Sequence, residues 1–540
     1  MALAVIPEPA ATHEGEGRLR LDASAALYYP EEFAPAAHVV ATELRSGTGW
    51  ELPRRNTPAE ISFDSAPELT QELGEEGYEL SITDRVEIRA ATAAGAFYGA
   101  QTLRQLLPAQ AFRSAPIASD AVELPQLEIR DTPRFGYRGV MVDVARHFLP
   151  KPDLLRFIAT IANLKINVLH LHLTDDQGWR VEIRAFPRLT EVGSHRTRSS
   201  RGDWRWQEYE ETPHGGYYTQ DDIREIVAYA AARNITVLPE IDVPGHSQAA
   251  IAAYPHLARL EEEVEVWPRW GINDLVLDPR EETLDFYRQV FDEVIELFPG
   301  RWIGLGGDEV PFRQWQQDPS LIRWAEEQGL SGVEELHEWF VCQLAEHVAA
   351  RGRTPVVWDE LAGAGLPPGT LVHAWRTDDV ITRAYEAGQP VVVCTEKDLY
   401  FDYTQSDRED EPIPVGKVTA VEQVAAYEPP EVGVNGEASE AIVGVQGNLW
   451  SEHLNSPARL EYAAFPRVIA LAEAAWSAPK VRRVEASMEK LPSALARLDA
   501  AGVNYRPLTG PRPWHTRPGV KGRMHGADFV AGRIEGQADA

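Results

Sequence analysis

The sequence predicts a (β/α)₈ barrel of the α/β class, preceded by a smaller α+β domain. Three observations carry that prediction. Short runs rich in Val, Ile and Leu alternate with amphipathic helical stretches, the pattern of a parallel sheet built from βαβ units. Eight such runs occur over roughly 350 residues, the number that closes a barrel; an open doubly wound sheet is the alternative. Before residue 130 the text follows a different rule, with short alternating segments around one helix.

The leading segment holds the strand-like GYELSITDRVEIRA and the helix pattern TAAGAFYGAQTLRQLL, in which Phe97, Leu103, Leu106 and Leu107 recur near helical spacing. A loose polar stretch, FRSAPIASDAVELPQ, then leads to a boundary near Asp131. The predicted strands are YRGVMVDVA, INVLHLHLT, ITVLPEIDV, RWIGLGGDE, TPVVWDE, TLVHAW, PVVVCTEKDLYFD and IVGVQGNLWSE. Helical stretches such as DDIREIVAYAAARN, LDFYRQVFDEVIELF and VEELHEWFVCQLAEHVAARG fall between several of them. SMEKLPSALARLDAAG reads as a helix docked on the barrel and ending at Gly502; beyond Arg506 the chain reads as extended or disordered. The expected domains are residues 1–130, 131–485 for the barrel, and 486–540 for the final helix and tail.

A net charge of −31 argues against a nucleic-acid or anionic-membrane partner. Two cysteines, Cys342 and Cys394, make neither a disulfide framework nor a metal cluster. The N-terminal MALAVIPEPAATHEGEG lacks a basic start with a sustained apolar core, and no apolar run is long enough to span a bilayer. A cytoplasmic location is the expectation, or a secreted one if a leader was removed. Oligomeric state is not readable from the sequence.

In a barrel of this kind the chemistry lies at the carboxyl ends of the strands. In order, those ends present Arg146 and His147; Asp175-Asp176; Asp242 and His246; Asp308-Glu309; Trp358-Asp359-Glu360; Trp375-Arg376; Tyr400 and Asp402; Trp450 and Glu452. An acid at one strand end is ordinarily a solvated loop residue or a helix cap. Eight in a row, with a tryptophan at three of them, fit a carbohydrate site: aromatic rings pack on the C–H faces of a sugar while acids and Arg bind its hydroxyls.

The stretch IGLGGDEV raises a specific problem. Adjacent strand residues face opposite ways, so Asp308 and Glu309 cannot both enter one pocket from a regular strand. Gly306-Gly307 frees the backbone to leave strand geometry. Two acids that close should titrate apart, as glycoside hydrolysis requires of a proton donor and a charged stabiliser. Neighbours in sequence are nonetheless ill placed to straddle a sugar as acid and nucleophile. The alternative is a substrate that supplies its own nucleophile.

These residues resemble glycoside hydrolase family 20, the β-N-acetylhexosaminidases, from about residue 20 to 505. RGVMVDVARHF, INVLHLHLTDDQGWR, HGGYYTQDDIREIVAYA, LPEIDVPGHSQAA, IGLGGDE, VVWDE and GNLWSE carry the match in family order. The resemblance implies a retaining β-N-acetylhexosaminidase; a pocket closed by three tryptophans suggests exo removal of one terminal N-acetylglucosamine or N-acetylgalactosamine, and no metal or cofactor is expected. In the mechanism so implied, the substrate's own 2-acetamido oxygen attacks the anomeric carbon to give an oxazolinium intermediate. By motif position Glu309 would be the general acid, Asp308 would hold the acetamido N–H, and Tyr400 would donate to the acetamido oxygen. Trp358, Trp375 and Trp450 would wall the pocket; Arg146, Glu452 and Asp402 would bind distal hydroxyls. Asp175 and His246 would tune the general acid, and Asp242 would support Asp308. The stretch between Tyr403 and Tyr427 holds no tryptophan, where family members often carry an aromatic-bearing loop beside the leaving group.

Two rivals remain at this stage. His170-Leu171-His172 places two imidazoles on one strand face, with His246 as a third ligand for a metal-dependent hydrolase; satisfied structural histidines are the other reading. A sugar-binding protein that has lost turnover is disfavoured because both acids are present. Gluco and galacto preference, and the natural polymer, stay open.

Overall fold

The structure is a computed structural model that describes residues 3–117, 121–202, 208–260 and 262–516. The part of the tail beyond residue 516, expected to be extended or disordered, lies outside the described residues. No helix among the described residues is long and apolar enough to cross a membrane.

The N-terminal part is one six-stranded mixed sheet with helices against it. Its strands are β1 (Ala11–Leu21), β2 (Leu27–Tyr28), β3 (Ile61–Ser65), β4 (Tyr78–Ile82), β5 (Val86–Ala90) and β6 (Val122–Asp131), in the spatial order β1-β6-β4-β5-β3-β2. Two helices, α1 (Ala34–Thr48) and α2 (Ala93–Leu106), pack together, and α2 lies on β4 and β5. GYELSITDRVEIRA forms the β4–β5 pair, and the helix expected around Phe97 is α2. The sequence predicts one helix and only the β4–β5 segments here, so α1, β2 and β3 escaped it, as did β1 and β6. Strand β1 is a mostly exposed polar edge without apolar alternation, and it bulges between Glu14 and Arg18, the latter opposite Pro125. The supposed loose segment enters the sheet at Val122, since Leu124, Leu127 and Ile129 face inward.

Eight parallel strands then close a barrel in sequence order: Tyr137–Asp143, Val168–His172, Thr236–Glu240, Trp302–Gly306, Thr354–Trp358, Leu371–Ala374, Val391–Val393 and Ile442–Leu449. Each lies within a predicted run. The seventh is shorter than predicted: after Val393 the chain makes a helical turn, Glu396–Leu399, and Tyr400 returns to the barrel through a bridge to Asn448. Glu396, Lys397 and Asp398 are poor residues for a buried strand, which explains the correction.

The barrel interior is layered. Its amino end is plugged by Tyr137, Val168, Leu238, Trp302, Val356, Leu371 and Val392. Above them comes a polar layer in which the Tyr137 hydroxyl donates to Gln446 (2.6 Å) and Gln446 Nε2 contacts His170 Nδ1 (3.2 Å). The side chains predicted to form the site crown that layer. Outside, helices Lys151–Ala162, Gln220–Ala231, Glu281–Leu297 and Val333–Ala350 bury one face each. Helix Val484–Ala501 ends at Gly502, whose φ of +75° provides the left-handed cap, and it packs on the last barrel helix, Arg467–Trp476.

A buried polar knot joins the two parts. Asp131, at the end of β6, accepts from the Tyr78 hydroxyl (2.6 Å), the fully buried Lys165 ammonium (2.8 Å) and Trp476 Nε1 (3.0 Å). Beside it Arg138 forks onto Glu76 at 2.8 and 2.9 Å. Removing one partner of such a cluster leaves an unpaired buried charge, which costs about 3–5 kcal/mol. Asp131→Ala should therefore lower the urea midpoint by an amount equivalent to about 3 kcal/mol or more; a loss below about 1 kcal/mol would show that the knot contributes little.

Candidate active site

The fourth strand does what its glycines suggest. It shifts register against the fifth strand between Gly304 and Gly306 and then leaves the sheet. Gly306 has φ +67°, Gly307 φ +95° and Glu309 φ +49°. A Cβ on Gly306 would lie 1.8 Å from Asp242 Oδ1, and one on Gly307 2.6 Å from Leu361 Cδ1. The Gly307 N–H donates to Asp242 Oδ1 (3.1 Å), which fixes the turn from the neighbouring strand. Asp308 and Glu309 thereby face one cavity of about 110 Å³.

That cavity is lined by Arg146, Asp308, Glu309, Trp358, Trp375, Tyr400, Asp402, Trp450 and Glu452, with Tyr403 and Val415 completing it. Nine of the predicted site residues thus share one wall system. The other three, Asp175, His246 and Asp242, stand directly behind the acids. A larger cavity, about 970 Å³, opens at the opposite end of the barrel beside Thr236 and Trp302, but it gathers none of these residues. Chemistry, not size, locates the site.

The aromatic wall is continuous. Trp358 and Trp450 lie 5.8 Å apart between centroids, Trp450 and Tyr400 6.2 Å, and Tyr400 stacks on Trp375 at 6.2 Å and 21°. Trp375 is held from behind: its backbone N–H donates to Asp359 Oδ2 (2.8 Å) and its indole N–H to Glu360 Oε2 (3.3 Å). Burial, with Asp308 and Asp359 nearby, pushes Glu360 up to about 8.

Behind the acids runs a buried chain of hydrogen bonds. His170 Nε2 and His172 Nδ1 meet the two oxygens of Glu240 at 3.0 and 2.5 Å. His172 Nε2 meets Asp175 Oδ2 (2.8 Å), and Asp175 Oδ1 meets His246 Nδ1 (3.2 Å). His246 Nε2 then lies 3.7 Å from Glu309 and 3.8 Å from Asp308. Arg146 enters from the first strand, pairing with Asp175 (2.8 Å) and Asp143 (3.3 Å) and lying 5.1 Å from the Trp450 ring centroid. The two imidazoles proposed as metal ligands are thus both bonded to Glu240.

The charges follow from this packing. Burial alone would raise Asp175, yet Arg146 and His246 hold it well below the usual carboxylate range. Burial opposes a charge on His246, but Asp175 and the neighbouring acids raise it well above the ordinary histidine value. Asp308 is raised to about 6, chiefly by burial, with His246 pulling the other way. Asp242 is raised further by burial and by Asp308. Burial and Glu452 raise Asp402.

Sequence reasoning missed Glu240, Asp143 and the bracing role of Asp359. Asp143 accepts from the N–H groups of Ala145 and Arg146 (2.8 and 3.1 Å) and from Ser451 N–H (3.0 Å), tying the first strand to the loop after the eighth. The available signal was an acid inside an apolar strand, as in VMVDVA and TVLPEIDV. Glu240 lies in register with His172 on the adjacent strand, so His-x-His and the acid read together would have revealed the cluster.

The model of glycosyl hydrolase family 20, catalytic domain, matches residues 135–479, and that of its domain 2 matches residues 2–132. The chain belongs to glycosyl hydrolase family 20. It is a glycoside hydrolase, with the barrel and the preceding sheet domain of that family. A β-hexosaminidase of Porphyromonas gingivalis is 37% identical over 93% of this chain, which spans 64% of that protein's length. One from Akkermansia muciniphila is 35% identical over 83% of this chain and 87% of the relative. Among solved structures, a family 20 exo-β-N-acetylglucosaminidase from Vibrio harveyi in complex with N-acetylglucosamine superposes with a TM-score of 0.84. It is 31% identical and covers 94% of this chain and 79% of its own.

Because Gly306 is required both for its positive φ and for its missing Cβ, Gly306→Ala should displace the Asp242 carboxylate and with it Asp308. The expected result is a fall in kcat/KM of about 10²-fold. Activity within twofold of the parent would contradict this account of the turn.

Proposed function

We propose that this family 20 hydrolase is a retaining exo-β-N-acetylhexosaminidase that removes terminal N-acetylglucosamine or N-acetylgalactosamine with assistance from the substrate's own acetamide. The observation that carries the reading is the pairing of two consecutive carboxylates with an aromatic cage. Asp308 lies 3.8 Å from His246, has an Oδ1 with no partner among the described residues, and faces the same cavity as Glu309, Tyr400 and the three tryptophans. Buried Asp308 Oδ1, both oxygens of Asp402 and Glu452 Oε2 are acceptors without a donor among the described residues. A buried acceptor of that kind calls for a donor, and an N-acetylated sugar offers an amide N–H and several hydroxyls.

In this reading Glu309 protonates the glycosidic oxygen and later takes a proton from water. Its side chain, about one-third exposed, is the acid nearest solvent. Asp308 accepts the acetamido N–H and stays ionised, so it offsets the positive charge that spreads over the ring nitrogen as the acetamido oxygen bonds to the anomeric carbon. Tyr400 donates to that oxygen and keeps it aimed. Protonated His246, held by Asp175, stabilises the carboxylate form of Glu309 after proton transfer, while the Arg146–Asp175 pair fixes that acid in place. Trp358, Trp375 and Trp450 pack against the acetamido methyl and the ring faces. A confined cavity supports attack at a chain end rather than along an open groove. The names of the Porphyromonas, Akkermansia and Vibrio relatives support the same substrate class.

Asp308 acts only as the carboxylate. Its pKa of about 6 is raised by burial, so it takes up a proton as pH falls through that value and kcat/KM should drop tenfold per unit below it. On a 4-nitrophenyl N-acetyl-β-glucosaminide, Asp308→Asn should cost about 10²–10³-fold and abolish that acid limb. Retention of the limb in Asp308→Asn would assign it to another group and remove Asp308 from the chemistry.

A further inference from the structure

Far from the catalytic face, at the junction of the N-terminal domain, two barrel helices and the C-terminal helix, lies a cavity of about 360 Å³. Its lining brings together Arg104, Arg113, Arg156, Arg233 and Arg497 with a single acid, Glu43. In a chain of net charge −31, such a gathering runs against the average field of the molecule.

The partners of these arginines show how little of the charge is answered. Arg156 is paired outside the cavity with Glu461 (2.7 Å) and Asp153 (3.8 Å). Glu43 is divided between Arg104 (2.8 Å) and Arg233 (3.7 Å). Among the described residues Arg497 meets no carboxylate: it donates to the carbonyls of Ala4 (3.1 Å) and Gln105 (3.3 Å) and to the Gln105 side chain (3.3 Å). Burial pushes Arg497 down to about 10 with no charged partner to restore it. Arg113 is exposed at the surface of the same cavity.

The cationic groups are also held in place. The Arg104 guanidinium carbon lies 4.4 Å from the Phe112 centroid and that of Arg497 lies 6.0 Å from the same ring. Arg233 sits 3.6 Å over Tyr229. Arg104 is 7% exposed, and its Nε–H, like that of Arg233, is buried without an acceptor among the described residues. A buried, unpartnered guanidinium N–H in a cavity with surplus positive charge calls for an anionic acceptor. Guanidinium forks suit the tetrahedral oxygens of a phosphate, and the volume exceeds that of one orthophosphate ion.

We propose that this cavity binds a multiply charged phosphate-class oxyanion of pyrophosphate or phosphoester size, bridging the N-terminal domain, helices Lys151–Ala162 and Gln220–Ala231, and helix Val484–Ala501. None of its residues lines the catalytic cavity, so the anion acts by clamping the three parts together. Binding to the folded state alone raises Tm by mass action.

The test is titration calorimetry with orthophosphate, pyrophosphate and glucose 6-phosphate, with sodium chloride at matched ionic strength, together with thermal melts. The expected result is saturable one-site binding of pyrophosphate or the sugar phosphate and a Tm rise of about 2 °C or more that chloride does not reproduce. Arg113→Ser, a surface change that leaves the fold intact, should weaken binding about fivefold or more; Arg497→Gln should weaken it further. Preference for glucose 6-phosphate over pyrophosphate identifies a phosphoester ligand, and equal binding of orthophosphate overturns the size assigned to the anion. Absence of saturable heat with all three anions, a Tm rise matched by chloride, or unchanged affinity in both variants overturns the proposal.

Discussion

One hydrogen bond, from the Gly307 N–H to Asp242, fixes the turn on which the candidate site of this barrel depends. A regular fourth strand would send Asp308 into the barrel and Glu309 out of it, or the reverse. The positive φ values at Gly306 and Gly307 break the alternation, and Asp242, reaching across from the third strand, holds the broken end where both acids meet the same cavity. The left-handed Glu309 is the cost of this arrangement, since a side chain at φ +49° is strained and needs its surroundings to keep it there.

Those surroundings are polar and buried, an expensive combination that succeeds only when satisfied. Glu240 answers two histidines, His172 answers Asp175, and Asp175 answers both His246 and Arg146. Each group is oriented by the one before it, from the plugged floor of the barrel to the cavity. The same chain sets the electrostatics: Arg146 keeps Asp175 charged, and Asp175 keeps His246 protonated next to Glu309. Rigidity and proton affinity come from the same bonds.

The eight strands and the amphipathic helices were legible in the sequence because period and composition report burial directly. So were nine of the residues lining the cavity, because they recur at strand ends; Tyr403 and Val415 lie beyond those ends and gave no such signal. What was not legible depends on partners distant in sequence. Glu240 looks like any strand residue until His170 and His172 are placed beside it, and Tyr400 was assigned to a strand end although a helical turn delivers it. Strand β1 escaped because an exposed polar edge has no apolar alternation to show. The arginine cavity between domains was invisible for the same reason: Arg104, Arg233 and Arg497 are spread over almost 400 residues and meet only after folding.

The central claim is that the nucleophile belongs to the substrate and that the paired acids orient it and move one proton. The most direct measurement compares kcat/KM for two aryl β-glycosides that share a leaving group and differ only at C2, one bearing an acetamido group and the other a hydroxyl. The account predicts a preference for the acetamido compound of about 10³-fold or more, since an intramolecular attack is lost with the amide. Equal rates on the two compounds would contradict it, and would require a nucleophile from the protein that the geometry around Asp308 and Glu309 was not built to supply.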